Sequence, residues 1–288
     1  MAKHLNLISY IGGKFPHLNW LINLFPKGNY HFIDIMCGSA NVALNVDYPL
    51  ITINDLNSDV INLFKVMRTD LEEFMRVLYF TPFSREELYK ILDDFHNESD
   101  DIEKARRYFV RSQLSYGANG SQNNHKGAGF EYAIQKSNYY RVDGFNFKMI
   151  KLPEIADKLR GFQIENRDVF DLFEKVNKPN NIVYFDPPYL MTTRSSGKRY
   201  KHEVSPEFHT KLSEAVKDAK CFVAISGYDS EIYDEIFPDF FKSMSPPKRS
   251  TVSKRIVNEC LWTNYDPRTI NGALTLEFET KNENNYGN

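Results

Sequence analysis

Residues 181–189 constrain the fold of this chain more than any other segment. The hydrophobic run Asn-Ile-Val-Tyr-Phe predicts a buried strand, and Asp186-Pro187-Pro188-Tyr189 follows it directly. A carboxylate, two prolines and an aromatic suit a core poorly, but ligands in open α/β sheets bind where strands end. The prolines fix φ and lack N–H donors, so this Asp-Pro-Pro-Tyr turn is rigid and its carbonyls can accept hydrogen bonds. It therefore suits a planar amine, such as the amino group of a nucleobase.

Hydrophobic runs elsewhere predict a sheet in which strands alternate with helices. Such alternation is typical of α/β folds. The predicted strands are residues 30–36, 50–53, 161–165, 181–185 and 221–225, with two further runs at 255–264 and 273–280. A chain of 288 residues is long enough to bury a large core. We therefore predict a nucleotide-binding α/β domain.

Residues 58–157 differ from the rest because helical periodicity dominates them. The helical segments are 71–80, 85–95 and 102–114. A polar loop rich in Asn and Gly follows at 116–127, and loops of that length are usually functional or disordered. We expect an inserted helical domain at 58–157, while residues 1–57 and 158–288 form the α/β domain.

Composition excludes several classes of protein. No run approaches the roughly 18 apolar residues of a membrane span, and we see no signal peptide. The three cysteines are odd in number and widely spaced, and the seven histidines lack metal-ligand spacing. We therefore expect reduced thiols, no metal, no membrane contact and a cytoplasmic location.

Positive charge is concentrated in two stretches, although the net charge is −2. Neither residues 194–202 nor residues 242–255 contain an acid. Such stretches either contact a phosphate backbone or form ordinary solvated loops, and charge alone does not choose between these interpretations. The candidate phosphate contacts are Lys198, Arg199, Lys248, Arg249, Lys254 and Arg255.

Three residues at other strand ends indicate a nucleoside ligand. Gly38 lies in a small-residue bend where backbone can approach a ligand closely. Asp55 ends the next strand, at a spacing that suits ribose hydroxyls, although a turn role is the alternative. Asp168 either caps a helix or accepts from an adenine amino group. The bend lacks the full Gly-x-Gly-x-x-Gly pattern, so we favour adenosine without a pyrophosphate.

Together these motifs resemble the Dam-type DNA adenine-N6 methyltransferases. The resemblance rests on five motifs in matching order: Tyr10-Ile11-Gly12-Gly13-Lys14, Phe32-Ile33-Asp34 leading into Cys37-Gly38-Ser39, Asn54-Asp55-Leu56-Asn57, Asn166-Arg167-Asp168 and the Asp-Pro-Pro-Tyr turn. It implies S-adenosylmethionine as cofactor and S-adenosylhomocysteine as product. It also implies a Rossmann-like, mostly parallel seven-stranded sheet, a helical target-recognition insertion, and a bacterial or phage-encoded enzyme.

The resemblance assigns residues to the cofactor and to catalysis. By position, the cofactor contacts would be Tyr10, Lys14, Asp34, Gly38, Ser39, Asp55, Asp168 and Asp186. Asp34 and the Gly38 loop would hold the methionine portion, Asp55 the ribose and Asp168 the adenine. The whole Asp-Pro-Pro-Tyr turn, Asp186, Pro187, Pro188 and Tyr189, would be catalytic.

The target adenine must leave the duplex to reach such a site, at a cost of a few kcal/mol. Tyr189 offers a stacking face, and stacking contributes about 1–3 kcal/mol per base. The Asp186 carboxylate and the Pro187 carbonyl can both accept from the amino group, which aims its lone pair at the methyl donor.

Two departures from the family concern the cofactor loop and the DNA contacts. Ala40 replaces the usual second glycine, and Met36-Cys37 replaces a usual aromatic. Ser9 stands where the family's GATC readers carry a basic residue, and the loop at 116–127 is not rich in arginine. Its candidate base or backbone contacts are Gln122, Asn123, Asn124 and Lys126, which are otherwise solvated loop residues. The sequence therefore does not predict GATC.

Double-stranded DNA is the expected partner of a monomeric enzyme, which acts alone or beside a restriction endonuclease. A cytosine-N4 methyltransferase is the enzymatic alternative, although those enzymes more often carry serine at the position of Asp186. A catalytically silent DNA-binding protein is an alternative of another class. A nicotinamide dehydrogenase is a third, which leaves the basic stretches and the insertion unexplained.

Overall fold

Strands and helices alternate along the chain in a computed structural model, which describes residues 4–94, 100–115, 129–130, 141–189, 204–249 and 256–271. The strands are β1 (His31–Asp34), β2 (Leu50–Asn54), β3 (Phe162–Glu165), β4 (Asn181–Phe185), β5 (Phe222–Tyr228), β6 (Phe241–Met244), β7 (Lys248–Arg249), β8 (Ile256–Val257) and β9 (Glu259–Thr263). The α-helices are α1 (Leu18–Ile22), α2 (Ser58–Thr69), α3 (Leu71–Tyr79), α4 (Arg85–Asp93), α5 (Asp101–Leu114), α6 (Arg141–Arg160), α7 (Val169–Val176), α8 (Pro206–Val216), α9 (Glu231–Ile236) and α10 (Pro267–Ile270). Short 3-10 turns occur at Phe15–His17 and Ala43–Asn45.

Seven of the described strands form one sheet in the order β3-β2-β1-β4-β5-β9-β6. Neighbours from β3 to β5 are parallel, and β9 runs antiparallel to both β5 and β6. The predicted mostly parallel seven-stranded sheet is thus confirmed. The chain moves outward from β1 in one direction and from β4 in the other, so the strand order reverses between them. A crevice forms at the carboxyl ends of strands where the order reverses.

Burial explains why the central strands are continuous hydrophobic runs. Nearly every residue of β1, β2, β4 and β5 is buried, as expected where helices cover both faces of a parallel sheet. The predicted run 255–264 is divided: β8 pairs with β7 in a separate two-stranded sheet, and β9 enters the main sheet. The strand β6 was not predicted, and the run 273–280 lies outside the described residues.

The helices α2 to α6 pack beside this sheet. One cluster of buried side chains extends from Phe32 and Ile51 in the sheet to Phe64 in α2 and Phe109 in α5. The predicted helices of this region are present, and α3 to α5 begin within one residue of the predicted positions. The division into an α/β domain and a helical insertion stays a prediction. Within the described ranges, none of the helices combines the length and apolar character needed to cross a membrane.

Candidate active site

A cavity of about 580 Å³ lies at the carboxyl ends of β1, β2, β3 and β4. All eight residues that the sequence assigns to the cofactor line it: Tyr10, Lys14, Asp34, Gly38, Ser39, Asp55, Asp168 and Asp186. Pro188 of the Asp-Pro-Pro-Tyr turn also lines it. The structure therefore brings these residues together, while the part that each plays toward a ligand stays a prediction.

The loop after β1 approaches Tyr10 so closely that only glycine fits at position 38. Gly38 has a φ of +49°, and a Cβ there would lie 2.6 Å from Cε1 of Tyr10. Ala40 has a φ of 53°, in the left-handed region that residues other than glycine rarely adopt. This chain therefore places an alanine in a backbone conformation that favours glycine.

Two acids on the cavity wall are held by backbone N–H groups. Asp55 accepts from the Gly38 N–H through Oδ2 and from the Asn57 N–H through Oδ1, both at 2.8 Å. Asp168 caps α7, with Oδ1 accepting from the N–H groups of Phe170 and Asp171. The turn and cap interpretations of these residues therefore describe real contacts. A carboxylate oxygen has two lone pairs, so each acid retains acceptor capacity for a ligand.

Asp34 is the most deeply buried acid on the cavity wall, with 1% of its surface exposed. Its Oδ2 accepts from the Ala43 N–H at 3.4 Å, while Oδ1 has no partner among the described residues. Burial raises the pKa of Asp34 well above its usual value, and the nearby Asp186 carboxylate raises it further. Asn41, which the sequence did not single out, also lines the cavity and presents a buried Oδ1 without a partner. Both oxygens are acceptors that a bound cation or N–H donor would satisfy.

Asp186 begins the turn after β4 and is held by side chains from elsewhere in the fold. Its Oδ1 accepts from Lys14 Nζ at 2.6 Å and from Ser226 Oγ at 2.8 Å. Ser226 lies in β5, and its hydroxyl also accepts from the Tyr184 hydroxyl at 3.0 Å. These contacts use one oxygen of Asp186, and no hydrogen bond within the described part of the chain uses the other.

Tyr189 ends the turn in a pocket that covers its ring. Its hydroxyl donates to Glu259 Oε1. The centroids of the Tyr189 and Tyr228 rings are 4.5 Å apart, and Lys14 Nζ lies 4.9 Å from the Tyr189 ring centroid. Only 6% of Tyr189 is exposed. The face of this ring is therefore too covered in this conformation for a base to stack on it. Glu259 and Ser226 were missed by sequence reasoning, because no local pattern marks them.

Of the predicted DNA contacts, only Lys248 and Arg249 fall within the described residues. They form β7, which pairs with β8 in the register Lys248 to Val257 and Arg249 to Ile256. The remaining predicted contacts lie outside the described residues: Gln122, Asn123, Asn124, Lys126, Lys198, Arg199, Lys254 and Arg255. Across the described ranges, no group of three or more His, Cys, Asp or Glu side chains is arranged to hold a metal ion.

The chain is similar to several known DNA methyltransferases. The chain is 27% identical over 201 residues to Type II methyltransferase M.FokI of Planomicrobium okeanokoites, a match of 65% of this chain and 29% of M.FokI. It is 24% identical over 245 residues to DNA adenine methylase of Salmonella typhi, covering 82% of this chain and 84% of that protein. It is 24% identical over 284 residues to Type II methyltransferase M1.LlaDCHI of Lactococcus lactis subsp. cremoris, covering 89% and 94%.

The family match covers most of the chain and includes the cavity motifs. Residues 10–252 match the family described as D12 class N6 adenine-specific DNA methyltransferase. This match confirms the predicted adenine methyltransferase, and nothing in the comparisons supports the cytosine-N4 alternative. The chain therefore belongs to the D12 class of N6 adenine-specific DNA methyltransferases.

Proposed function

We propose that this protein transfers a methyl group from S-adenosylmethionine to the exocyclic N6 of an adenine flipped out of duplex DNA, at a defined site. The observation that carries the proposal is the position of Asp186. It is a carboxylate with one oxygen fixed by Lys14 and Ser226, and it lies on the wall of a cavity of about 580 Å³. Family membership supplies the substrate class.

The cavity residues fit the proposed cofactor. The unpartnered buried oxygens of Asp34 and Asn41 suit the ammonium group of its methionine portion. Asp55 would accept from the ribose hydroxyls and Asp168 from the adenine amino group, while Tyr10, Lys14, Gly38 and Ser39 complete the wall. When bound, S-adenosylmethionine supplies an electrophilic methyl group whose bond to sulfur breaks as the bond to nitrogen forms, leaving S-adenosylhomocysteine. No metal is required.

Asp186 would orient the target and stabilise the charge that develops on it. Its second oxygen would accept from one N–H group of N6 and the Pro187 carbonyl from the other, so that the nitrogen lone pair is aimed at the methyl group. The nitrogen becomes positive as the bond forms, and acceptors aimed at it lower the barrier. One of the two N6 protons then passes to solvent, and no covalent enzyme intermediate is needed.

DNA contacts would come from regions on either side of this turn. Residues 58–157 would recognise the target, with Gln122, Asn123, Asn124 and Lys126 in the central loop. Lys198, Arg199, Lys248, Arg249, Lys254 and Arg255 would bind phosphates without reading sequence. We propose a monomer that acts on DNA in the cytoplasm, and the likeness to M.FokI supports a cognate restriction endonuclease as a possible partner.

The direct test is tritium transfer from labelled S-adenosylmethionine to DNA from a host without adenine methylation. We expect wild type to label the DNA and N6-methyladenine to appear on digestion. Asp186→Ala should lower the rate about 10²- to 10³-fold and leave cofactor affinity within about threefold. Asp239→Ala, at an exposed acid remote from the cavity, is the matched control and should behave as wild type.

Three results would contradict the proposal. Absence of label with wild type would favour the silent DNA-binding alternative, and N4-methylcytosine in the digest would favour the cytosine enzyme. Full activity of the Asp186→Ala variant would remove the role proposed for the carboxylate. Sequencing of the modified DNA from the same host would then identify the recognition site.

A further inference from the structure

Glu259 is a buried acid that the proposed chemistry does not use. It begins β9 opposite Tyr228 of β5, and only 5% of its surface is exposed. Its backbone is fixed in both directions by Ser245, whose N–H donates to the Glu259 carbonyl and whose Oγ accepts from the Glu259 N–H. Burial of a carboxylate is costly unless partners compensate for it. The partners of Glu259 are therefore informative.

Both partners of the Glu259 side chain belong to the site. Oε1 accepts from the Tyr189 hydroxyl and lies 3.3 Å from Lys14 Nζ. The same Nζ lies 2.6 Å from Asp186 Oδ1. Glu259 is thus joined to the last residue of the Asp-Pro-Pro-Tyr turn directly and to the first residue through one lysine.

The protonation states favour this arrangement. Burial and the adjacent Glu259 carboxylate raise the pKa of Tyr189 well above its usual value, so its hydroxyl keeps its proton and donates. Burial also raises the pKa of Glu259, whereas the Lys14 ammonium opposes that rise. Lys14 also donates to the Gly12 carbonyl at 2.9 Å, so its ammonium lies among oxygens of Gly12, Asp186 and Glu259.

We propose that Glu259 is a positioning residue for methyl transfer, holding Tyr189 directly and Asp186 through Lys14 so that these two groups keep a fixed spacing. The inference rests on the proposed function, in which Asp186 contacts the flipped adenine and Tyr189 ends the same turn. A displacement of about 1 Å at a reacting centre can cost about 10²-fold in rate. Loss of this tether should therefore slow the chemical step more than it weakens binding of the cofactor.

The test is a double-mutant cycle measured by single-turnover methylation, with the full chain and labelled S-adenosylmethionine. Glu259→Gln keeps the length of the side chain and removes its charge, and Tyr189→Phe keeps the ring and removes its hydroxyl. Each should lower the rate between about tenfold and hundredfold, with cofactor affinity within about threefold. The double variant should be no slower than the slower single variant, because both changes break one contact.

Matched controls separate positioning from folding. Glu235→Gln and Tyr30→Phe make the same chemical changes at positions outside the cavity and outside residues 58–157, and should retain the wild-type rate. Rates are expressed per cofactor-binding molecule, so a variant that only loses folded protein shows no change. Glu259→Asp keeps the charge but is one methylene shorter, and it should remain slow because the carboxylate no longer reaches the hydroxyl.

Each outcome decides the matter. If wild type is active and the Glu259→Gln rate is within twofold of it, this inference is overturned and the proposed function stands. The same holds if the rate losses of the two single variants multiply in the double variant. An inactive wild type would overturn the proposed function and this inference together. The inference is supported if both single variants lose rate, the double variant is no slower than the slower of them, and cofactor affinity is unchanged.

Discussion

Two sides of the site, named here for their proposed contacts, are built differently: a cofactor wall with Asp55 and Asp168, and a target wall with Asp186 and Tyr189. On the cofactor wall, both acids accept from backbone N–H groups that lie between 2 and 17 residues away in sequence. On the target wall, the partners of Asp186 and Tyr189 are side chains much farther away. Lys14 is 172 residues from Asp186, Ser226 is 40, and Glu259 is 70 residues from Tyr189. Local loops therefore shape the first wall, whereas the tertiary fold shapes the second.

This difference predicts how each wall responds to substitution. Backbone donors remain when neighbouring side chains change, so the cofactor wall should lose little stability when one residue is replaced. The target wall concentrates charge in few buried groups, and removal of one leaves the others without compensation. Three predictions test the contrast, from the largest expected effect to the smallest.

The largest loss of stability is expected for Lys14→Met. The change keeps the apolar stem but leaves the Asp186 and Glu259 carboxylates without their shared cation. We expect the free energy of unfolding to fall by about 3–5 kcal/mol, measured in urea at neutral pH. Lys90→Met removes an exposed lysine paired with Glu86 and should leave stability almost unchanged. Equal losses in the two variants would contradict the contrast.

A smaller, pH-dependent effect is expected at Asp34, which belongs to the cofactor wall but is buried. Because its pKa is raised in the folded state, the folded protein holds this proton more tightly than the unfolded chain does. Its contribution to stability is therefore present at acid pH and is lost as pH rises from about 4, the usual aspartate value, toward the folded pKa. The slope from this single group is at most about 1.4 kcal/mol per pH unit.

Asp34→Asn should remove that slope. In urea unfolding between about pH 5 and about pH 8, the free energy of unfolding of the variant should rise relative to that of wild type as pH rises. The variant should also bind S-adenosylmethionine more weakly than wild type does. A parallel pH dependence in the two proteins would show that Asp34 does not titrate in this range.

The smallest effect is expected for Ala40→Gly in the cofactor loop. Glycine relieves about 1–2 kcal/mol of left-handed strain, but it gives up a fully buried methyl group and adds freedom to the unfolded chain. These terms nearly cancel, so the free energy of unfolding, measured by thermal denaturation, should change by less than about 0.5 kcal/mol. Ala156→Gly, in the interior of α6, has no strain to relieve and should cost about 1 kcal/mol. Similar losses at both positions would show that the loop stores no strain.

The same contrast explains how much could be predicted from sequence. Both faces of the central strands are covered, so they are continuous hydrophobic runs, and β4 was predicted with its observed bounds. The acids at the strand ends carry local signals, and the parallel sheet then brings them to one cavity. The number of seven strands and their mostly parallel direction came from the family resemblance. The strand order was not predicted, because pairing between distant strands leaves no periodic pattern.

What could not be predicted depends on contacts between distant segments. Glu259 lies within the predicted run 255–264 and resembles any polar residue on the exposed face of a strand. Only the position of β9 beside β5 buries it against Tyr189. The edge strand β6 was missed because its residues are half-buried or exposed and do not alternate cleanly. The left-handed backbone at Ala40 was hidden because alanine gives no sign of that conformation.

The contact between Lys14 and Glu259 also sets an order of assembly during synthesis. Lys14 leaves the ribosome before Glu259, which follows only after β1 to β8 have been made. Domains tend to fold from the N-terminal side as they emerge. The contact between Lys14 and Glu259, and with it the target wall, stays incomplete until translation has passed β9.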